Sequence, residues 1–224
     1  TAAPGLAPVR AKMAAYLEKT FGVGYRAEDV YMTSGASSAL AMLAYALLSP
    51  GDEVLTLSPY FSEYKLYAEA AGGTLTAVPS NPEDFQIDLD AFSAAISEKT
   101  AVVLLNSPNN PSGVILSRRS ITKLVELLEK KSAEYGHRIY IVADEPYREL
   151  AYDGEEVPFI PAIYKDTIYC YSFSKTLSLP GERIGFLAIH PELTDYARVR
   201  AAIYGAGRAL GYINASTMFQ LVAA

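Results

Sequence analysis

The segment SFSK at residues 172–175 places a lysine directly after the apolar run TIYCY. A lysine that follows a buried strand loses hydration, so its ammonium group must be paired or neutralised there. The alternative is a solvated Lys175 in a surface loop, which is where most lysines lie. The other polar segments of the chain bear on this choice.

The segment DEPYREL at residues 144–150 places an acid directly after the apolar run RIYIVA. A carboxylate at the end of an apolar strand is unfavourable unless a cation or a hydrogen-bond donor meets it. We therefore expect Asp144 to face inward and Tyr147 to present a phenol to the same place. The alternative is that Asp144 is an ordinary helix N-cap.

Two further segments follow strand-like runs. SGASS at 34–38 opens an apolar helix, and the free N–H groups of Gly35, Ala36 and Ser37 would favour an anion, although such residues also serve as plain caps. NSPNNPSG at 106–113 is a rigid turn, and its position after a buried strand favours a ligand contact by the Asn110 amide over a purely structural role.

The complete set is a lysine, an acid, a phenol, an amide and an anion cradle, with Ser172 and Arg183 close to the lysine in sequence. A phosphorylated heteroaromatic aldehyde would satisfy all of these groups, with its aldehyde on lysine, its ring nitrogen on the acid and its phosphate in the cradle. Such a pattern is what a pyridoxal phosphate site requires.

The rest of the chain alternates strand-like apolar runs with segments of helical period, which predicts an α/β fold: a mostly parallel sheet with helices on both faces. Ligands bind beyond the carboxyl ends of the strands in such sheets. The last two strands are close in sequence and are expected to pair antiparallel. The predicted strands are DVYMT, EVLTLSP (53–59), GTLTAVP (73–79), AVVLLNSP (101–108), RIYIVADE (138–145), TIYCYSF (167–173) and RIGFLAIH (183–190).

Composition limits the other classes of function. The 19 basic and 25 acidic residues give a net charge of −6, which argues against nucleic acid as a partner. The single cysteine, Cys170, is predicted to be a packed core side chain, and a chain with one cysteine fits a reducing, cytoplasmic compartment. No signal peptide or membrane span is evident. The two histidines lie far apart, so no metal site is expected. No glycine-rich nucleotide loop follows a strand, which disfavours a doubly wound nucleotide binder.

The order and spacing of NSPNNPSG, DEPYREL and SFSK with GERIGF resemble the class I/II aminotransferases, pyridoxal-phosphate enzymes of fold type I that include aspartate aminotransferase. The resemblance implies that Lys175 forms an aldimine with pyridoxal 5'-phosphate and moves the substrate proton. It implies that Asp144 keeps the ring nitrogen protonated and that Tyr147 bonds the ring hydroxyl. It gives Asn110 contacts with that hydroxyl and with the substrate carboxylate.

The same resemblance implies a phosphate site and an aromatic ring stacked on the cofactor. Phe61 in SPYFSEY is similar to the stacking residue. Ser174, next to Lys175, is a weaker match. The phosphate site would consist of Gly35, Ala36, Ser37, Ser172 and Arg183.

The resemblance covers residues 1–224 as a cofactor-binding large domain, without the family's amino-terminal arm or its carboxy-terminal small domain. The arginine that binds the substrate carboxylate belongs to that small domain, so the identity of the amino acid stays open. The resemblance also implies a homodimer with sites at the subunit interface.

The expected activity is amino transfer between an L-amino acid, aspartate-like or of broad range, and a 2-oxo acid. Two alternatives share the motifs. One is a pyridoxal-phosphate-dependent β-elimination lyase, which would release pyruvate and ammonia without an oxo-acid acceptor. The other is a pyridoxal-phosphate-sensing domain of a transcription regulator, which would add a basic winged-helix region.

Overall fold

The computed structural model describes residues 2–224, which form a seven-stranded sheet between two layers of helices. The strands are β1 Val30–Thr33, β2 Glu53–Ser58, β3 Thr74–Pro79, β4 Thr100–Asn106, β5 Tyr140–Asp144, β6 Thr167–Ser172 and β7 Gly185–Ile189. The helices are α1 Ala7–Phe21, α2 Gly35–Leu47, α3 Glu63–Ala70, α4 Leu89–Ala95, α5 Arg118–Tyr135, α6 Phe173–Thr176, α7 Tyr196–Ala209 and α8 Thr217–Val222.

The strand order across the sheet is β1-β7-β6-β5-β4-β2-β3. Strands β3, β2, β4, β5 and β6 pair in parallel, and β7 runs antiparallel to both of its neighbours, β6 and β1. The predicted α/β class, the mostly parallel sheet and the antiparallel pairing of the last two strands are therefore confirmed.

The central strands are apolar along their whole length because helices cover both of their faces. In β4, Val103 and Leu105 pack into the same cluster as α1 and α5, whereas Val102 and Leu104 pack with α2 and α7. Successive side chains of a strand point to opposite faces, so this alternation places one core on each side of the sheet.

The structure corrects two predicted boundaries near the site. Strand β7 begins at Gly185 and not at Arg183, because Arg183 has a left-handed backbone with φ 53° that a strand cannot accommodate. Phe173 begins α6 and does not extend β6. Away from the site, α7 begins at Tyr196, directly after Asp195, whose backbone is also left-handed at φ 60°.

Cys170 lies in the middle of β6 and is fully buried, as expected for a packed side chain. No helix within residues 2–224 has the length and apolar character needed to cross a bilayer.

Candidate functional site

The carboxyl ends of the strands open into a cavity of about 300 Å³, large enough for a small cofactor. Nine of the ten residues that the sequence predicts for the site line this cavity, and the tenth, Gly35, lies against Arg183 at its edge. The nine are Ala36, Ser37, Phe61, Asn110, Asp144, Tyr147, Ser172, Lys175 and Arg183. Residues from five separate segments thus meet at one edge of the sheet.

Asp144 is the last residue of β5 and is 4% exposed. Its Oδ2 accepts a hydrogen bond of 2.5 Å from the Tyr64 hydroxyl, and its Oδ1 has no hydrogen-bond partner among the described residues. Burial raises the pKa of this carboxyl to about 6, and the Tyr64 bond opposes the rise. An unpaired buried carboxylate oxygen is costly, so this atom needs a donor that the chain itself does not provide.

Tyr64, on the first turn of α3, is a site residue that the sequence did not predict. It is 1% exposed and its ring packs edge-on against Phe61, with the centroids 5.6 Å apart. Burial and the charge of Asp144 raise the pKa of the Tyr64 phenol, which therefore stays a hydrogen-bond donor. Its only signal in the sequence is its place in the aromatic cluster YFSEY.

Lys175 lies in α6, whose start at Ser172 is capped by the Ser172 hydroxyl accepting from the Ser174 N–H. Its Nζ lies 5.6 Å from the centroid of the Tyr147 ring, an arrangement suited to a cation–π contact. The expectation of a desolvated Lys175 is wrong for this chain, because Lys175 is exposed at the rim of the cavity. The open mouth of the cavity leaves its ammonium in water.

Tyr147 and Asn110 form a pair on one side of the cavity. Burial and the charge of Asp144 raise the pKa of the Tyr147 phenol, and the Asn110 amide opposes the rise. A phenol and an amide at one point provide two donors for a ligand oxygen.

Arg183 and the start of α2 form a cationic corner. Arg183 donates from Nη1 to the Pro180 carbonyl at 2.7 Å, which holds its guanidinium against Gly35. Gly35 has φ +79°, and a Cβ at this position would lie 2.6 Å from Arg183 Nη2. The guanidinium therefore lies beside the free N–H groups of the first turn of a 13-residue helix, an arrangement that favours a phosphate.

Asn106, the last residue of β4, also lines the cavity and was not predicted. The motif NSPNNPSG offers three asparagines, and the sequence has no signal that separates the role of Asn106 from that of Asn110. Residues 2–224 contain no group of three or more His, Cys, Asp or Glu side chains placed to hold a metal ion.

Comparison with known proteins agrees with this architecture. An amino transferase from Eubacterium rectale superposes with a TM-score of 0.97 at 50% identity, over 98% of this chain and 56% of that one. The aspartate aminotransferase of Thermotoga maritima superposes with a TM-score of 0.86 at 30% identity, over 99% of this chain and 57% of that one. The aspartate/prephenate aminotransferase of Thermus thermophilus is 32% identical over 183 residues, which are 81% of this chain and 46% of that protein.

The chain spans about half the length of the curated relatives that it matches. The sequence profile of the family described as aminotransferase class I and II matches residues 1–219. That match covers nearly the whole chain, and the fold and the segments around the cavity agree with it. The chain belongs to the aminotransferase class I and II family.

Proposed function

We propose that residues 1–224 are the cofactor-binding domain of a pyridoxal-phosphate-dependent aminotransferase that moves an amino group between an L-amino acid and a 2-oxo acid. Membership of the family, which uses this cofactor, supports the class of reaction. The gathering of Lys175, Asp144 and Arg183 around one cavity supports the assignment of the site.

The single observation that carries the proposal is the unpaired Oδ1 of Asp144 in a cavity with a lysine at its rim. A protonated pyridine nitrogen would give this buried oxygen the cationic donor that it lacks. The residues present therefore fit pyridoxal phosphate, and the charge of the cofactor would offset the cost of burying the Asp144 carboxylate.

Each remaining part of the cofactor has a candidate partner. Lys175 would hold it covalently, and Tyr147 with Asn110 would donate to its ring hydroxyl. Phe61 would stack on the ring. The phosphate would be held by the start of α2 and the nearby cation, namely Gly35, Ala36, Ser37, Ser172 and Arg183.

The chemistry divides between the cofactor and the chain. When bound, pyridoxal phosphate supplies an electron sink that acidifies the proton on the α-carbon of the substrate. Lys175 is the base that takes this proton and the acid that returns it, since no other basic side chain besides Arg183 lines the described cavity. Asn110 orients the substrate by a hydrogen bond to the substrate carboxylate. Asp144 holds a negative charge at the floor of the cavity.

The substrate that we propose is aspartate or a similar amino acid, because relatives near 30% identity are named aspartate aminotransferases. The test is to incubate the purified full-length protein with aspartate and 2-oxoglutarate and to measure glutamate. Formation of glutamate supports amino transfer. Release of pyruvate and ammonia from a β-substituted amino acid without an oxo acid would instead assign the lyase, and binding of cofactor without turnover of any amino acid would favour the regulator.

The proposal also includes a cellular compartment and an oligomeric state for the full-length protein. A cytoplasmic protein is supported by a single buried cysteine, Cys170, which makes no disulfide. A homodimer would supply site residues from a second subunit, and light scattering of the full-length protein would test it.

Gly35→Ala is expected to weaken binding of pyridoxal phosphate by about tenfold, since the added methyl displaces the Arg183 guanidinium from the phosphate site. Binding of pyridoxal, which has no phosphate, should change much less. Gly22→Ala is the matched control, because Gly22 has a similar φ of +75° with no atom within 4 Å of an added Cβ. Equal losses of affinity for both ligands would contradict the role of this corner.

Tyr64→Phe is expected to weaken pyridoxal phosphate binding at pH 8 by about tenfold, because the Asp144 carboxylate loses the hydrogen bond that the Tyr64 hydroxyl donates and its ionised form becomes less favourable. Equilibrium dialysis measures the dissociation constant. Tyr67→Phe is the control, because it removes the hydroxyl of a tyrosine in the same helix that lies away from Asp144. This variant should bind pyridoxal phosphate with the affinity of the unaltered protein. A Tyr64→Phe variant with unchanged affinity would show that this bond does not serve the cofactor.

A further inference from the structure

Asn106 connects two of the segments that form the site. It is 5% exposed at the end of β4, where it lies in register with Asp144 of β5. Its Nδ2 donates to the main-chain carbonyl of Asp144 at 2.7 Å, and its Oδ1 accepts from the main-chain N–H of Asn110 at 2.7 Å. Both polar ends of this buried amide are therefore used, each on a different segment.

The turn that carries Asn110 is otherwise closed on itself. The Gly113 N–H donates to the Asn109 carbonyl at 2.8 Å, and the Asn109 side-chain oxygen accepts from the N–H and the hydroxyl of Ser112 at 3.0 and 2.8 Å. These bonds lie within the turn. The Asn106 amide, by contrast, bonds both the turn and the end of β5.

Asn106 therefore links the two segments that carry Asn110 and Tyr147. Asn106 bonds Asp144 and Asn110, and Tyr147 follows Asp144 by three residues in the same segment and lines the cavity together with Asn110. A shift of the turn against β5 would therefore change the distance between the Asn110 amide and the Tyr147 phenol. These are the two groups proposed to donate to the ring hydroxyl of the cofactor.

We infer that Asn106 is a positioning residue that sets the Asn110 amide against the Asp144–Tyr147 segment and thereby tunes the ionisation of the bound cofactor. The inference rests on the proposed function. Asn106 need not touch the cofactor, since it acts through the main chain of its two partners. Loss of the Asn106 bonds would weaken the hydrogen bond that the Asn110 amide donates to the ionised ring oxygen of the cofactor. The protonated form of the cofactor then becomes more favourable, so the pH at which the cofactor ionises rises.

The experiment is a pH titration of the absorbance of the full-length protein loaded with pyridoxal phosphate, with its dissociation constant measured in parallel. Asn106→Ser removes the double bridge without adding charge. Asn109→Ser is the matched control, because Asn109 also makes two side-chain hydrogen bonds in this region, both as acceptor from Ser112, but has no bond to Asp144. Thermal unfolding measures the loss of stability in each variant.

We expect Asn106→Ser to raise the midpoint of the absorbance titration by at least about half a pH unit and to weaken binding of pyridoxal phosphate about tenfold. Asn109→Ser should leave the midpoint of the titration unchanged. In an Asn110→Ala background, Asn106→Ser should add no further shift, because it acts through Asn110. If Asn106→Ser does not fold, Asn106→Leu, compared with Asn109→Leu, roughly keeps the side-chain volume, removes both bonds without adding charge and serves the same comparison.

An unchanged midpoint in Asn106→Ser, or a full additional shift in the Asn110→Ala background, would overturn the inference while the unaltered protein still binds the cofactor. If the unaltered protein shows no band from bound pyridoxal phosphate, the proposed function is overturned and this inference with it. The two failures are thus distinguishable.

Discussion

Replacing Lys175 with alanine should reduce amino transfer by at least about 10⁴-fold, because the variant loses both the covalent attachment of the cofactor and the base at the substrate α-carbon. Stability should hardly change, since Lys175 is exposed and its Nζ lies 5.6 Å from the centroid of the Tyr147 ring. The measurement is the steady-state rate with aspartate and 2-oxoglutarate, together with thermal unfolding. Pyridoxal phosphate should still bind, but more weakly and without covalent attachment.

Lys165→Ala is the control for this prediction. Lys165 is also exposed, but it precedes β6 at the opposite end of that strand and lies outside the cavity. It should retain full activity. Appreciable turnover by the Lys175→Ala variant would remove Lys175 from the mechanism and with it the proposed roles of the residues around it.

Replacing Asp144 with asparagine should have opposite effects on the cofactor-free and cofactor-bound protein. The folded-state pKa of Asp144 is about 6, against an ordinary value of 3.8, so the folded chain holds this proton more tightly than the unfolded chain. The free energy of unfolding of the cofactor-free protein therefore falls as the pH rises from about 4 to about 6. A difference of two pKa units corresponds to about 3 kcal/mol, which sets the upper limit of the effect.

Asparagine carries no charge, so the cofactor-free Asp144→Asn variant should be more stable than the unaltered protein at pH 8, by up to about 3 kcal/mol. The two proteins should converge near pH 4. Burial raises the pKa of Glu145 to about 7 against the opposing effect of Arg148, and the charge of Asp144 adds to the rise. Loss of that charge in the variant makes ionised Glu145 less costly and acts in the same direction at pH 8. Urea unfolding at pH 4 and pH 8 measures the difference.

The same variant should bind pyridoxal phosphate more weakly and lose at least about 10²-fold in turnover, since the protonated ring nitrogen has lost its anionic partner. A gain in stability with a loss of function is typical of a buried charge retained for chemistry. An Asp144→Asn variant that is less stable at pH 8 and equally active would contradict both the burial cost and the role of Asp144.

Much of the fold follows from the apolar pattern of the strands. Runs such as AVVLL and RIYIVA are apolar on both faces, and strands of this kind belong to a parallel sheet covered by helices. Since parallel strands end at one edge, the polar residues after β4, β5 and β6 had to meet there. The cluster of Asn110, Asp144 and Lys175 was predictable for this reason.

Other parts of the site depend on contacts between distant segments, which no local pattern indicates. Tyr64 reaches Asp144 across 80 residues, and this contact depends on how α3 packs against the sheet. The close approach of Gly35 to Arg183 depends on the left-handed backbone at Arg183, which the sequence pattern assigned to a strand. Lys175 is exposed at the rim of the cavity although a buried strand precedes it, so the apolar residues before it do not indicate its exposure.

Covalent attachment of pyridoxal phosphate to Lys175 can be measured by reductive trapping. The full-length protein is mixed with pyridoxal phosphate, its absorbance is recorded before and after borohydride, and the modified peptide is mapped by mass. We expect a near-ultraviolet or visible band that borohydride removes, with the added mass on the peptide that contains Lys175. No adduct, or an adduct on another lysine, would contradict it.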